Sequence, residues 1–158
     1  MAMAEAVRAI CADASVGGKW FLPDEEDACE AVVLLEEFVL GRLRIVVPDL
    51  FFYELGNVLS VALRRRRTTE AAAVRGLDVL GRLHLGRISL EGEMDSALAF
   101  SRWYGVSFYD AVYLAAAESR GVPLVTCDRR LLKAVSPHLD WVLTPKGVLK
   151  HVPEQRWR

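Results

Sequence analysis

The chain has 158 residues, 53% of them hydrophobic, which is enough for one sizeable core and one domain. With 20 Lys and Arg against 21 Asp and Glu the formal net charge is −1, so attraction to nucleic acid or membrane must be local rather than global. Three cysteines without a CxxC pair (Cys11, Cys29, Cys127) argue against a disulfide framework and a structural zinc site, and no apolar run approaches the roughly 18 residues of a membrane span. These features lead us to expect a soluble, cytoplasmic protein with no membrane partner.

In chain order, AVRAICA (6–12) reads as a short buried strand, followed by a turn at Asp13 to Ser15 and a short helix ending before Pro23. Pro23-Asp24 opens the next helix, whose acidic start suits the positive end of its dipole, and Gly41 closes it. LRIVV (43–47) is β-branched and predicts a strand. A helix follows from Pro48-Asp49 to the arginines at 64–67, where basic charge meets its negative end. Thr68-Thr69-Glu70 begins an alanine-rich helix to about Gly86, and RISL (87–90) predicts a strand. Two helices follow, over roughly 92–104 and from Ser107 to about Arg120, the second set between Gly105 and Gly121. PLVTC (123–127) predicts a buried strand, RRLLKAV a short helix and DWVLTP a last strand, while HVPEQRWR (151–158) is expected to be a flexible tail.

Strands alternating with helices imply βαβ units, hence a parallel sheet with helices on both faces and ligands beyond the carboxyl ends of the strands. We expect one α/β domain over 1–150.

Four carboxylates, Asp13, Glu54, Asp110 and Asp128, stand in apolar surroundings: RAICADASV, PDLFFYELGNVL, SFYDAVYLAAA and PLVTCDRRLL. Each has a purely local explanation to weigh. Asp13 suits an Asx turn. Ser107 and Asp110 form an S-x-x-D capping box, and Asp128 suits the N-cap of the helix at Arg129. Glu54 is flanked by apolar residues on most sides, with Asn57 one turn later on the same face. A single acidic pocket accounts for all four positions at once. Two carboxylates about 4 Å apart repel by about 4 kcal/mol at an effective dielectric near 20, so such a pocket holds a proton or a cation. Oxygen ligands suit Mg²⁺ or Mn²⁺, and such ions act on phosphodiesters.

The four motifs together resemble the PIN-domain nucleases, especially the VapC-type toxins of toxin–antitoxin pairs. The resemblance rests on Asp13-Ala14-Ser15, on Pro48 to Asn57 with Tyr53-Glu54, on Ser107-Phe108-Tyr109-Asp110-Ala111 and on Thr126-Cys127-Asp128-Arg129-Arg130, in order over residues 8–145. It implies a three-layer α/β/α fold with a central parallel sheet of about five strands, and an acidic pocket holding one or two Mg²⁺ or Mn²⁺ ions. It further implies cleavage of RNA and a small antitoxin that blocks the site. By the same resemblance, Asp13 and Asp110 are direct metal ligands, Glu54 and Asp128 complete the catalytic pocket, and Ser15, Asn57 and Thr126 support it.

Arg129 and Arg130, beside Asp128, are candidate RNA contacts, and Arg64 to Arg67 form the densest basic run. Tyr53, Tyr109 and Tyr113 lie beside the acidic motifs, where base stacking competes with core packing as the expected role, and core packing is the stronger expectation. Trp20, Trp103 and Trp141 read as core. The apolar helix pair 49–63 and 70–85 offers a homodimer (or higher-oligomer) face or an antitoxin groove. Two other functions fit an acidic site: a silent RNA- or protein-binding module, and a phosphoaspartate signalling or phosphatase domain. The second is disfavoured because Ser15 stands where a phosphatase wants another aspartate.

Overall fold

The computed structural model describes residues 7–22, 24, 26 and 28–152. Five parallel strands form one sheet: β1 (Ala9–Ala12), β2 (Arg44–Pro48), β3 (Gly86–Ile88), β4 (Leu124–Val125) and β5 (Val142–Leu143), in the order β3-β2-β1-β4-β5. The first strand is therefore central. Ile10 pairs with Ile45 on one side, and Cys11 pairs with Leu124 on the other. The short β-branched and aliphatic runs suit strands buried on both faces, and Ile10, Cys11, Ile45, Val47, Leu124 and Val125 are all sealed from solvent.

The helices are α1 (Ala14–Phe21), α2 (Ala28–Val39), α3 (Leu50–Arg64), α4 (Glu70–Arg82), α5 (Met94–Tyr104), α6 (Phe108–Arg120), α7 (Arg129–Val135) and α8 (Pro145–Leu149). The strand order fixes their faces. Connections from β1 to β2 to β3 step one way and those from β3 to β4 to β5 step back, so right-handed crossovers put α1–α4 on one face and α5–α7 on the other. The contacts agree: α1 packs on α2 and α3, while α5 packs on α6, which lies over β1, β2 and β4. The result is the expected α/β/α sandwich.

α1 and α3 approach closely because Gly17 has no side chain. A Cβ there would stand 2.5 Å from Phe51 Cζ. Trp20, read from the sequence as core, is buried and donates its indole N–H to the Ala31 carbonyl at 3.0 Å, tying α1 to α2.

Several boundaries differ from the sequence expectations. No turn separates β1 from the first helix; α1 starts at Ala14, directly after Asp13. α2 is described from Ala28, and three residues of its expected opening, 23, 25 and 27, lie outside the described residues. α4 stops at Arg82 because His84 takes a positive φ of 51° in the turn before β3. α8 was not expected, although Thr144 caps it by accepting from the Gly147 amide at 3.0 Å and Pro145 occupies its first turn. In the expected tail, the His151 carbonyl accepts from the Val7 amide at 2.8 Å and Val152 packs on the core; residues 153–158 lie outside the described residues.

Candidate active site

The direction of chain progression reverses between β1 and β4, and at such a switch point the loops beyond the strand ends part to leave a crevice. Asp13 follows β1 and Thr126 to Asp128 follow β4, so both segments stand at that crevice. α3 follows β2 and α6 precedes β4, which puts the first turns of both helices, with Glu54 and Asp110, on the same carboxyl rim.

Asp13 is 6% exposed and has β-region dihedrals, but its side chain does not cap α1. Its Oδ2 accepts from Thr126 Oγ1 at 2.6 Å and from Ser15 Oγ at 2.8 Å. These two hydroxyls are themselves fixed, because Ser15 Oγ accepts from the Cys127 amide at 2.9 Å and Thr126 Oγ1 from the Asp128 amide at 3.0 Å. Each hydroxyl thus has its acceptor side occupied by the β4 loop and its proton aimed at Asp13. Both protons converge on one oxygen of the carboxylate, Oδ2. Burial pushes the Asp13 carboxyl above the usual carboxylate range; the Thr126 and Ser15 bonds pull it back, and the nearby Asp110 charge raises it again.

Glu54 accepts from the Tyr113 hydroxyl at 2.5 Å, a bond from α3 to α6. Burial raises its carboxyl, the Tyr113 bond opposes that, and the charges of Asp13 and Asp110 add to the rise. Tyr113 is nearly sealed, and burial, followed by the charges of Asp13 and Glu54, holds its hydroxyl far above the ordinary phenol range, so it stays a donor. Asp110 shows the local capping role weighed for it. Its amide donates to Ser107 Oγ at 3.0 Å as the N-terminal capping bond, and the same hydroxyl donates to Asp110 Oδ2 at 2.7 Å.

Asp13, Glu54 and Asp110 therefore form a mutually repelling set, and none makes an ion pair among the described residues. Asp128 is spent differently. Its Oδ1 accepts from the Arg130 and Leu131 amides at 2.8 and 3.1 Å, which makes it the cap of α7. In this side-chain arrangement no three His, Cys, Asp or Glu residues among those described converge closely enough to cage an ion.

Of the expected supports, Ser15 and Thr126 are in place, whereas Asn57 is exposed and makes no hydrogen bond among the described residues. Arg129 pairs with Glu26 at 2.6 Å on the surface, and Arg130 is exposed. In the arginine run, Arg67 reaches Asp24 at 3.1 Å and Arg64 reaches Ser60. The core reading holds for Tyr113 but fails for Tyr53 and Tyr109, which are 77% and 62% exposed, and for Trp103, which is 69% exposed. The contribution of Tyr113 to the acidic site was missed. Two signals bear on it: the residue follows Asp110 by three positions on one helix face, and a buried tyrosine needs a partner for its hydroxyl.

The sequence profile described as PIN domain matches residues 10–136. The chain belongs to the PIN-domain family. A curated relative, named exonuclease VapC9, from Pyrobaculum aerophilum, is 33% identical over 105 residues, covering 66% of this chain and 77% of that protein. The fold also matches the crystal structure of PAE2754 from the same organism, with TM-score 0.70, 24% identity, and 95% and 94% of the two chains covered. A toxin–antitoxin complex from Klebsiella pneumoniae matches with TM-score 0.57 and 18% identity over 86% of this chain and 97% of that one. VapC20 of Mycobacterium tuberculosis, described as a sarcin–ricin loop cleaving toxin, matches with TM-score 0.56 and 16% identity over 80% and 95%. The shared PIN fold accounts for the strand order and for the switch point at which the carboxylates stand. Among the described residues no helix is long and apolar enough to cross a membrane.

Proposed function

We propose that this PIN-domain protein is a metal-dependent endoribonuclease that hydrolyses RNA phosphodiester bonds in the cytoplasm as the toxin of a toxin–antitoxin pair. The observation that carries the reading is the set of Asp13, Glu54 and Asp110 at the switch point, where the Asp110 charge raises Asp13, the charges of Asp13 and Asp110 raise Glu54, and none of the three makes an ion pair among the described residues. The donor set fits a hard divalent ion: all its atoms are carboxylate oxygens, and the repulsion between them is relieved by positive charge. Mg²⁺ commonly keeps several of its waters, so residues that would hold it need not converge as a closed cage. Asp13 and Asp110 are the direct ligands in this reading, with Glu54 and Asp128 completing the pocket for one or two Mg²⁺ or Mn²⁺ ions. Bound there, an ion supplies charge against the scissile phosphate and lowers the pKa of a water.

The chain's own residues do the positioning. Ser15 and Thr126 fix the Asp13 carboxylate by its Oδ2. Tyr113 holds Glu54 in its acceptor role. Arg130, exposed at the start of α7, is a phosphate contact, and Arg129 joins it when its surface pair with Glu26 opens. A small antitoxin that covers the rim would silence the site, in line with the complex known for the Klebsiella neighbour.

Asp13→Asn and Asp110→Asn should each abolish Mg²⁺- or Mn²⁺-dependent cleavage of RNA while keeping the circular-dichroism spectrum, and EDTA should abolish it in the wild type. Full activity in either variant refutes the assignment. The absence of a ready-made cage among the described residues favours one second reading, a binding module that grips RNA without cutting it. Binding with no cleavage in either metal across varied RNAs would favour that module.

A further inference from the structure

We infer that Tyr109 is the platform on which a base of the bound strand stacks, and hence a substrate-positioning residue that gives the site its preference for unpaired RNA. The inference rests on the ribonuclease reading above and names how that site grips its substrate.

The ring of Tyr109 is 62% exposed. Among the described residues it lies against no other aromatic ring and its hydroxyl makes no hydrogen bond, so neither packing nor polarity accounts for a tyrosine there. Its position is informative. Tyr109 sits in the first turn of α6, immediately before Asp110 and one helical turn before Tyr113, whose hydroxyl meets Glu54. Residues four apart share a helix face, so Tyr109 stands one turn nearer the carboxyl rim than Tyr113, with its ring open to solvent.

The surrounding charge gives this ring a purpose. Without a bound cation three carboxylates at the crevice repel a phosphodiester strand, the chain as a whole carries −1, and Arg129, at the start of α7, is already paired with Glu26. A contact that ignores charge then adds affinity for a single strand beyond what the bound ion and Arg130 supply. Stacking on an aromatic face is such a contact, and every unpaired base offers one, whereas bases within a duplex already have both faces covered.

Tyr53 supplies the control. It is 77% exposed but stands two residues from Phe51, on the side of α3 facing away from the buried stripe of Phe51, Leu55, Leu59 and Ala62. It precedes Glu54 in sequence, but among the described residues it makes no hydrogen bond to the acidic set and no contact with another ring.

The test measures binding of fluorescein-labelled oligouridylate by anisotropy with Ca²⁺ in place of Mg²⁺, and cleavage kinetics in Mg²⁺. Tyr109→Ala should weaken binding roughly 5-fold to 100-fold and raise KM with little change in kcat, which is the loss of about one stacked base. Tyr109→Phe, which keeps the ring, should restore wild-type binding, and Tyr53→Ala should leave it unchanged. An oligomer made abasic throughout should bind wild type and Tyr109→Ala alike. The inference is overturned if Tyr109→Ala binds as wild type, if Phe fails as badly as Ala, or if Tyr53→Ala loses as much. A wild type that cleaves RNA normally alongside those results leaves the ribonuclease reading standing. A wild type that neither binds nor cleaves removes both.

Discussion

Asp13→Asn should make the metal-free protein more stable, although it is expected to destroy activity. The carboxylate is 6% exposed and lies near Asp110 and Glu54. Asparagine is nearly isosteric, and its amide oxygen can take the place of Oδ2 and accept the Ser15 and Thr126 hydroxyls. What is lost is the charge assistance on those two bonds, about 1 kcal/mol each. What is gained is larger. Two carboxylates about 5 Å apart repel by about 3 kcal/mol at an effective dielectric near 20, and the desolvation penalty of a buried charge disappears as well. The upward shift of the Asp13 carboxyl, led by burial, gives the same sign: its charged form opposes folding. A net gain of about 1–3 kcal/mol corresponds to a melting temperature roughly 3–10 °C higher.

The pH dependence follows from the same shift. A carboxyl whose folded pKa lies above its unfolded value destabilises the fold at neutral pH, and that penalty vanishes as pH falls through the folded pKa toward the unfolded one. The gap between variant and wild type should therefore close as pH is lowered. Saturating Mg²⁺ should reverse the order, since a ligand at about 100 times its Kd adds about 2.7 kcal/mol to the protein that binds it. Calorimetry in EDTA and in Mg²⁺ across that pH range measures all three effects. If the asparagine variant melts at or below wild type in EDTA at neutral pH, or the gap stays constant with pH, the electrostatic account of the cluster is wrong.

Tyr113→Phe removes the hydroxyl that donates to Glu54 at 2.5 Å. It should cost about 1–3 kcal/mol in stability and raise the Mg²⁺ concentration needed for half-maximal cleavage, as read from metal titrations; unchanged metal dependence would show that the bond does not position Glu54. Gly17→Ala places a Cβ 2.5 Å from Phe51 Cζ. The forced separation of α1 and α3 should lower stability by about 1–3 kcal/mol, and a melting temperature equal to wild type would contradict the close approach described.

The alternation of elements was readable because strands and helices here carry strong local signals: β-branched runs, glycines after helices, Thr69 and Ser107 as N-caps. α8 escaped because it is only five residues long, although Thr144-Pro145 is a recognisable start. For Asp110 the local explanation accounts for the bonds observed, since a single hydroxyl, that of Ser107, serves the Asp110 amide and carboxylate together. For Asp128 the local explanation accounts for the bonds observed. The partnership of Tyr113 with Glu54 was not legible, because it joins helices 59 residues apart in sequence. Trp103 was misread by residue type alone. The inward stripe of α5 runs through Ala97, Phe100 and Tyr104, and position 103 falls off that spacing, leaving the indole edge-on to Phe100 and open to solvent.

The Thr126 hydroxyl that steadies Asp13 comes from 113 positions later in the chain. β1 is synthesised first yet ends in the middle of the sheet, with its β4 side filled only after two crossovers on its other side and a third that returns across it. A ribosome-bound chain that already displays Asp13, Glu54 and Asp110 still lacks Thr126 and the Cys127 amide that orients Ser15. Strand order thus acts as a timer in translation: the acidic pocket can be assembled only when most of the polypeptide has left the exit tunnel.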